Sequence, residues 1–167
     1  MLEHENFFVS LSEDLGAILK ERGIMLALAE SCTGGMVAQS VTSVAGSSDW
    51  FDRGFVTYSN AAKVELLGVL PETLEKFGAV SENVAKEMVL GALKNSHAQL
   101  AASITGIAGP TGGTLEKPVG TVCFGWVGKN IRVTTTTKHF DGNREGIRQK
   151  AVIFCLTELI QKASSGI

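Results

Sequence analysis

Ser31 lies in the segment ALAESCTGGMVA (27–38), between an apolar stretch and a pair of glycines. A serine directly before a glycine-started helix is an ordinary N-cap, whose hydroxyl accepts a hydrogen bond from a helix N–H. The same turn exposes a hydroxyl beside the backbone N–H groups of residues 32–35, which could bind an oxyanion or a phosphate. The local sequence leaves both interpretations open, and the second makes Ser31 a nucleophile.

A nucleophilic Ser31 needs a base, and the sequence offers Lys63 rather than a histidine. The patterns G-x-S-x-G and S-x-x-K are absent. If Ser59 caps a helix, Lys63 lies near its first turn, where the helix dipole and burial both favour the neutral amine. The alternative is a solvated surface lysine. Tyr58, the only tyrosine, either packs at a strand end or orients Lys63 by a hydrogen bond.

Three further features could contribute to a site. Cys32 stands at a helix start that would lower its thiol pKa, but without a histidine partner it ranks below Ser31. The loop TGIAGPTGG (105–113) lacks the G-K-[ST] and G-x-G-x-x-G patterns, so its glycines either admit a ligand or form a long tight connection. Arg144 and Arg148 share one helix face and could bind a phosphate, or they pair with Glu145 or solvent.

The elements that must position these residues follow from hydrophobic periodicity. We predict helices at about 5–22, after Gly34 and Gly35, after Ser59, after Pro71, after Ser81 and after Gly142. The predicted strands are GIMLALAE, FDRGFVTYS, LAASITG, GTVCFGWVG and IRVTTTTKHF, and the last two form an antiparallel hairpin around residues 128–130. Helices interleaved with single strands predict a three-layer α/β/α sandwich with a mixed sheet.

The predicted topology brings distant residues together. Polar or glycine-rich loops follow the buried strands at Ser31, Tyr58 and Thr105. In an open α/β sheet, such loops at the carboxyl ends of parallel strands share one crevice, where ligands bind. We therefore expect these three loops to form one site.

Composition limits the functional classes. The 167 residues are 44% hydrophobic and carry a net charge of −2, which predicts one globular domain over 1–167. No basic block stands out, so we do not expect a nucleic-acid partner. Three cysteines without C-x-x-C spacing and three scattered histidines predict a reduced, cytoplasmic protein with no metal. We also expect no signal peptide, no membrane segment and no cofactor.

The ordered set of AESCTGG, SSDWFDRGFVTYSNAAK, GAVS, TGIAGPTGG, KPVGTV and GNREGIR resembles the C-terminal domain of the competence/damage-inducible protein CinA. The resemblance runs from about residue 10 to residue 160, without the molybdopterin-binding-like domain of longer members. It implies an α/β/α domain with a mixed, mostly parallel five-stranded sheet, usually a homodimer. It also implies a metal-free nicotinamide mononucleotide deamidase, which forms nicotinate mononucleotide and ammonia.

The resemblance assigns roles residue by residue. It implies a catalytic pair of Ser31 and Lys63, with Tyr58 tuning the lysine and relaying a proton. Backbone N–H groups after Ser31 would stabilise the oxyanion. The implied substrate-binding residues are Thr33, Gly34, Gly35, Ser48, Thr105, Gly106, Gly109 and Arg144.

Two other functions remain open from the sequence. Fold and pocket can persist without activity, so the chain could be a non-catalytic nucleotide-binding or regulatory module. It could also be an amidase for another small amide, because the sequence shows no readable specificity pocket.

Overall fold

Helices and strands alternate along the chain as the hydrophobic pattern predicts. The computed structural model describes residues 2–166, and the side chains of residues 6–166. A 3₁₀ turn, Ser47–Asp49, precedes the second strand. In chain order the elements are α1 (Leu2–Arg22), β1 (Leu26–Glu30), α2 (Met36–Thr42), β2 (Phe51–Val56), α3 (Asn60–Leu67), α4 (Pro71–Phe77), α5 (Glu82–Lys94), β3 (Leu100–Gly106), β4 (Thr121–Gly128), β5 (Thr134–His139) and α6 (Arg144–Ser164).

The five strands form one sheet in the order β2-β1-β3-β4-β5. The pairs β1–β2 and β1–β3 are parallel, whereas β3–β4 and β4–β5 are antiparallel. Only β4 therefore runs against the other four strands. This confirms the predicted fold class, a mixed and mostly parallel five-stranded sheet, and the predicted hairpin.

The two faces of the sheet bury different sets of side chains. Leu26 and Leu28 of β1 belong to one core cluster with α1, α2 and α6, while Ala27 and Ala29 belong to the other with α5. Successive strand residues point to opposite faces, so β1 is fully buried and apolar up to Glu30, its last residue. The helices on both faces complete the three predicted layers.

Two glycines allow close helix packing: one lets α5 approach the sheet, and the other lets α3 approach α5. A Cβ at Gly125 of β4 would lie 2.8 Å from the Ala85 carbonyl oxygen of α5. A Cβ at Gly91 of α5 would lie 2.0 Å from the Leu67 carbonyl oxygen, at the end of α3. Glycine at position 91 thus allows α3 to rest on α5, and α3 carries Lys63.

Some element boundaries differ from the prediction. Strand β2 ends at Val56 rather than at Ser59, because the chain leaves the sheet after the Thr57 N–H donates to the Glu30 carbonyl oxygen. The hairpin connection is longer than predicted, since β5 begins only at Thr134. Helix α1 extends to Leu2, three residues beyond the predicted start.

Candidate active site

The loops after β1, β2 and β3 meet at one edge of the sheet, as the topology predicts. They surround a cavity of about 170 Å³ that is open to solvent. Ala79 and Val80, between α4 and α5, form part of its wall. The sequence-predicted residues that line it are Ser31, Cys32, Tyr58, Lys63, Thr105, Gly106 and Arg144.

Ser31 and Lys63 are in direct contact at the base of this cavity. The Ser31 Oγ lies 3.0 Å from the Lys63 Nζ, and both residues are buried. Ser59 caps α3 by accepting a hydrogen bond from the Ala62 N–H, as the sequence predicts, so Lys63 occupies the first turn of that helix. The surface-lysine alternative is therefore wrong, because Lys63 is only 1% exposed.

Burial determines the electrostatic state of Lys63. Desolvation lowers the pKa of its amine below the ordinary value of 10.5. Besides Ser31, the Lys63 Nζ contacts two backbone carbonyl oxygens, of Thr57 at 2.9 Å and of Tyr58 at 3.3 Å. The two ion pairs among the described side chains, those of residues 6–166, are Lys20–Asp49 and Arg53–Asp52, and neither involves this lysine. Desolvation therefore outweighs the one opposing contribution to the pKa, the charge interaction with Cys32.

Ser31 lies in a turn and does not cap a helix. Its N–H donates to the Ile104 carbonyl oxygen of β3, and its own carbonyl accepts from the Gly34 N–H at 3.0 Å. Helix α2 begins only at Met36, with Gly35 as an N-cap that makes no side-chain bond. Gly34 and Gly35 have φ of 59° and 100°, which favour glycine. The N-cap interpretation of Ser31 is thus wrong, and the two glycines precede the helix rather than open it.

Glu30, which the sequence reasoning did not select, caps α2 from outside the helix. Its buried carboxylate accepts hydrogen bonds from the N–H groups of Val37 and Ala38 at 2.9 and 3.0 Å. It also accepts the Thr33 hydroxyl at 2.7 Å. The N–H groups of Val37 and Ala38 and the Thr33 hydroxyl are therefore committed to Glu30, whereas the Met36 N–H donates to the Thr33 carbonyl oxygen. Thr33 does not line the cavity in this chain, contrary to its predicted binding role.

Not all of the backbone N–H groups predicted to stabilise an oxyanion are available for that role. Of the N–H groups of residues 32–35, that of Gly34 is bonded to Ser31. Among residues 2–166, the N–H groups of Cys32, Thr33 and Gly35 donate to no backbone carbonyl. Of these three residues, Cys32 is the one that lines the cavity. Gly34 and Gly35 shape the turn without lining the cavity.

The thiol of Cys32 is not prepared for nucleophilic attack. Burial, together with the negative charge of Glu30, raises its pKa to about 12. The thiolate is the reactive form of cysteine, so a protonated thiol is a poor nucleophile at neutral pH. This agrees with ranking Cys32 below Ser31.

Tyr58 and Arg144 form the mouth of the cavity. The Tyr58 side chain is 63% exposed, and its hydroxyl accepts a hydrogen bond from Arg144 Nη2 at 3.1 Å. Arg144 also donates to the Gly109 carbonyl oxygen at 2.8 Å, which ties the glycine loop to α6. The sequence left open whether Tyr58 packs at a strand end or orients Lys63 by a hydrogen bond, and in the structure its hydroxyl bonds to Arg144. Lys63 contacts the backbone carbonyl of Tyr58 instead.

Thr105 and the glycine loop form the opposite wall. The Thr105 hydroxyl donates to the Ala79 carbonyl oxygen at 2.8 Å and thereby holds the segment between α4 and α5. A Cβ at Gly106 would lie 3.0 Å from the Cys32 sulfur, so glycine is required for the close approach of these two walls. Gly109 has a φ of 79° and contributes its carbonyl rather than cavity surface.

Two further predicted residues lie elsewhere. Ser48 is exposed in the turn before β2, whereas the cavity lies beyond the end of β2. A six-residue strand spans about 20 Å, so Ser48 is at the opposite edge of the sheet and the predicted binding role finds no support within one chain. Arg148 donates to the carbonyl oxygens of Cys32 and Thr33, at 3.0 and 3.1 Å.

The described residues offer no alternative centre for metal chemistry. Among the side chains of residues 6–166, no three of His, Cys, Asp or Glu come together in an arrangement that could bind a metal ion. Over the same range, no helix is both long enough and apolar enough to cross a membrane.

Fold and site together define an α/β protein with a buried serine–lysine pair at the carboxyl edge of its sheet. Residues 9–163 match the family model of the CinA C-terminal domain. The chain therefore belongs to the CinA C-terminal domain family.

Individual relatives are similar to this chain over nearly the whole length of both proteins. The nicotinamide-nucleotide amidohydrolase PncC of Enterobacter agglomerans is 56% identical over 152 residues, covering 91% of this chain and 93% of that protein. The protein of the same name from Escherichia coli strain K12 is 51% identical over 154 residues, covering 92% and 93%. A solved CinA superfamily protein from Klebsiella pneumoniae superposes with a TM-score of 0.91 at 36% identity, covering 95% of this chain and 99% of that one.

Proposed function

We propose that this chain hydrolyses the carboxamide of nicotinamide mononucleotide to nicotinate mononucleotide and ammonia, with Ser31 as nucleophile and Lys63 as general base. The observation that carries the mechanism is the 3.0 Å contact between a buried lysine amine and a serine hydroxyl at the base of a cavity. The substrate is supported by two relatives, at 56% and 51% identity, that are named nicotinamide-nucleotide amidohydrolases.

The partners of Lys63 favour its action as a base. A neutral amine has two hydrogens and one lone pair. The carbonyl oxygens of Thr57 and Tyr58 can only accept, so they take the two hydrogens. The lone pair then points to the remaining partner, the Ser31 hydroxyl, which can donate. Burial lowers the pKa of the amine and so favours the deprotonated form that this arrangement requires.

Acylation begins when the Ser31 Oγ attacks the carboxamide carbon and its proton moves to the Lys63 Nζ. The carbonyl oxygen becomes an oxyanion, which the Cys32 N–H stabilises. As the tetrahedral intermediate collapses, the C–N bond breaks and the nitrogen takes a proton from the Lys63 ammonium. Ammonia leaves, and the nicotinoyl group remains as an ester on Ser31.

Deacylation repeats the sequence with water. Lys63, neutral again, accepts a proton as the water oxygen attacks the ester carbon. The bond between that carbon and Ser31 Oγ breaks, and Oγ recovers its proton from the lysine. The carboxylate product leaves a free serine and a neutral lysine, so one water is consumed for each amide bond.

The size of the cavity suggests which part of the substrate it holds. Typical small-molecule pockets measure about 300–1,000 Å³, whereas this cavity measures about 170 Å³. It fits the pyridine carboxamide, while ribose and phosphate extend to the mouth, where Arg144 and Tyr58 lie. Remote binding energy from an arginine–phosphate contact would then orient the amide at Ser31.

We also propose that the active protein is a single domain over residues 1–167, a cytoplasmic homodimer that does not use nucleic acid as a partner. Three free, buried cysteines fit a reducing compartment, and the net charge of −2 does not favour a nucleic-acid partner. The family resemblance supports the dimer. Light scattering of the purified protein checks this part, because a monomeric mass at working concentration contradicts it.

The test is ammonia release from nicotinamide mononucleotide, with chelator present. Ser31→Ala and Lys63→Ala are expected to abolish turnover, whereas the exposed control variants Ser10→Ala and Lys86→Ala are expected to keep it. Near-normal turnover by Ser31→Ala would refute the assignment of Ser31 as the nucleophile. A folded wild type that binds the nucleotide without releasing ammonia would indicate a binding module instead.

The same assay addresses the substrate. Turnover is compared for nicotinamide, its riboside and its mononucleotide at equal concentration. We expect the highest kcat/KM for the mononucleotide, because only it carries the phosphate. Equal values for all three would point to an amidase for another small amide.

A further inference from the structure

Two arginines one turn apart on α6 serve different parts of the site. Arg144 faces the mouth of the cavity and contacts Tyr58 and the glycine loop. Arg148 reaches the turn after β1 instead, where its Nε donates to the Cys32 carbonyl oxygen at 3.0 Å and its Nη2 to the Thr33 carbonyl oxygen at 3.1 Å. Arg148 does not line the cavity, and its guanidinium is engaged with backbone carbonyls.

We propose that Arg148 is a positioning residue that holds the Ser31–Gly35 turn in the geometry needed for attack on the amide. The proposal rests on the proposed function for its kinetic consequence, but the contacts of Arg148 exist independently of it. Arg148 acts on catalysis through the backbone of Cys32 and Thr33, not through the substrate.

The peptide geometry explains how a carbonyl contact orients an N–H group. Arg148 fixes the Thr33 carbonyl, which shares one planar trans peptide with the Gly34 N–H. That N–H donates to the Ser31 carbonyl, whose own peptide carries the Cys32 N–H, so the contact also fixes the direction of the proposed oxyanion donor. A guanidinium is a rigid planar fork, which can hold two successive carbonyls at once. The single ammonium group of a lysine cannot hold two successive carbonyls in this way.

The absence of a side chain at Gly34 makes room for this contact. A Cβ at Gly34 would lie 3.3 Å from Arg148 Nη2, closer than an ordinary van der Waals contact. Gly34 also has a φ of 59°, which favours glycine on conformational grounds. The turn therefore accommodates the guanidinium as part of its structure.

A second charged group holds the same turn from its other side. The Glu30 carboxylate accepts the Thr33 hydroxyl, while Arg148 binds the Thr33 carbonyl. Both bonds are charge-assisted, and such bonds are roughly twice as strong as neutral ones. Neither of the ion pairs found among the side chains of residues 6–166 includes Arg148, whose hydrogen bonds are with backbone carbonyls. Rotation of the Cys32–Thr33 peptide would break these contacts.

The expected effect is on chemistry rather than on substrate binding. A displacement of about 1 Å at the reacting atoms can reduce the rate by about 100-fold. We expect Arg148→Met to lower kcat by about this factor, with KM within about twofold of the wild-type value. Arg148→Lys, which can bind one carbonyl at a time, is expected to recover part of the lost kcat.

The experiment measures kcat and KM for nicotinamide mononucleotide in wild type, Arg148→Met, Arg148→Lys and the exposed control Arg132→Met. A kcat-only loss in Arg148→Met with partial recovery in Arg148→Lys supports the proposal. An increase in KM at unchanged kcat overturns it, because Arg148 would then bind substrate. If Arg148→Met does not fold, a wild-type kcat in Arg148→Lys overturns it as well.

Amide hydrogen exchange of the segment 31–36 provides a measurement that does not depend on turnover. We expect at least tenfold faster exchange in Arg148→Met than in Arg132→Met, because the turn loses one of its two charged supports. Unchanged exchange overturns the proposal whatever the kinetics. Faster exchange with an inactive wild type would support the role of Arg148 in the turn while refuting the proposed function.

Discussion

Replacement of Glu30 by alanine is expected to destabilise the protein through three hydrogen bonds that can be counted. The carboxylate is 1% exposed and accepts from Thr33, Val37 and Ala38 at 2.7–3.0 Å. A hydrogen bond to a charged group contributes about 1.5–3 kcal/mol. Three independent bonds would thus contribute about 4.5–9 kcal/mol, but bonds that share one carboxylate are not additive. We expect a loss of about 3–5 kcal/mol in the free energy of unfolding.

Glutamine at position 30 provides the matched comparison. Its amide keeps one acceptor oxygen, but its NH₂ group would face a donor that now lacks a partner. Glu30→Gln is therefore expected to cost about 1–3 kcal/mol. Replacement of the exposed Glu21 by alanine serves as the control and should stay within about 0.5 kcal/mol of wild type.

Urea unfolding at neutral pH, followed by circular dichroism, measures all three variants. A domain of this kind has about 5–15 kcal/mol of stability, so the alanine variant should unfold at a much lower midpoint. A Glu30→Ala protein within 0.5 kcal/mol of wild type would refute the reasoning. Equal losses in the alanine and glutamine variants would show that the remaining acceptor contributes nothing.

Three further predictions follow from the site and its supports. Because the pKa of Lys63 lies below 10.5 and its neutral form is the proposed base, kcat/KM should rise with pH through the folded pKa, with a midpoint below pH 10.5; a fall between pH 6 and 9 contradicts this. Arg144→Gln should raise KM for the mononucleotide by about 10–100-fold but not for the riboside, and equal changes would exclude a phosphate contact. Gly91→Ala should lower stability by about 1–3 kcal/mol in urea unfolding, because its Cβ would lie 2.0 Å from the Leu67 carbonyl oxygen, and a wild-type midpoint would contradict the close packing.

The sequence predicts those parts of the fold that depend on local pattern. Buried strands such as LALAE carry an unbroken apolar run, and the caps Ser59 and Ser81 stand directly before their helices. The convergence of Ser31, Tyr58 and Thr105 follows from one topological rule about parallel strands. Each of these features follows from a few neighbouring residues or from one general rule about sheets, so it can be predicted without knowledge of tertiary contacts.

The missed or misplaced residues depend on contacts that no local pattern reveals. Glu30 caps α2 across seven and eight residues, from the end of a strand, so it lacks the spacing of an ordinary N-cap. Arg144 and Arg148 are equivalent by helical spacing, yet one reaches the cavity mouth and the other the turn behind Ser31. Ser48 was assigned through a motif that includes β2, and the direction of that strand carries it away from the site.

Glu30 and Lys63 lie on either side of Ser31 with opposite ordinary charges, but they do not form an ion pair. A carboxylate beside Lys63 would raise the pKa of the amine and keep it protonated, which would remove the base. Instead, the oxygens of Glu30 are taken up by Thr33 and α2, and the lysine faces neutral carbonyls. The charge of Glu30 acts on Cys32, whose pKa it helps to raise. One carboxylate therefore shapes the turn and keeps the neighbouring thiol protonated, while the base of Ser31 remains unpaired. The arrangement explains why the proposed nucleophile is Ser31 rather than the adjacent Cys32.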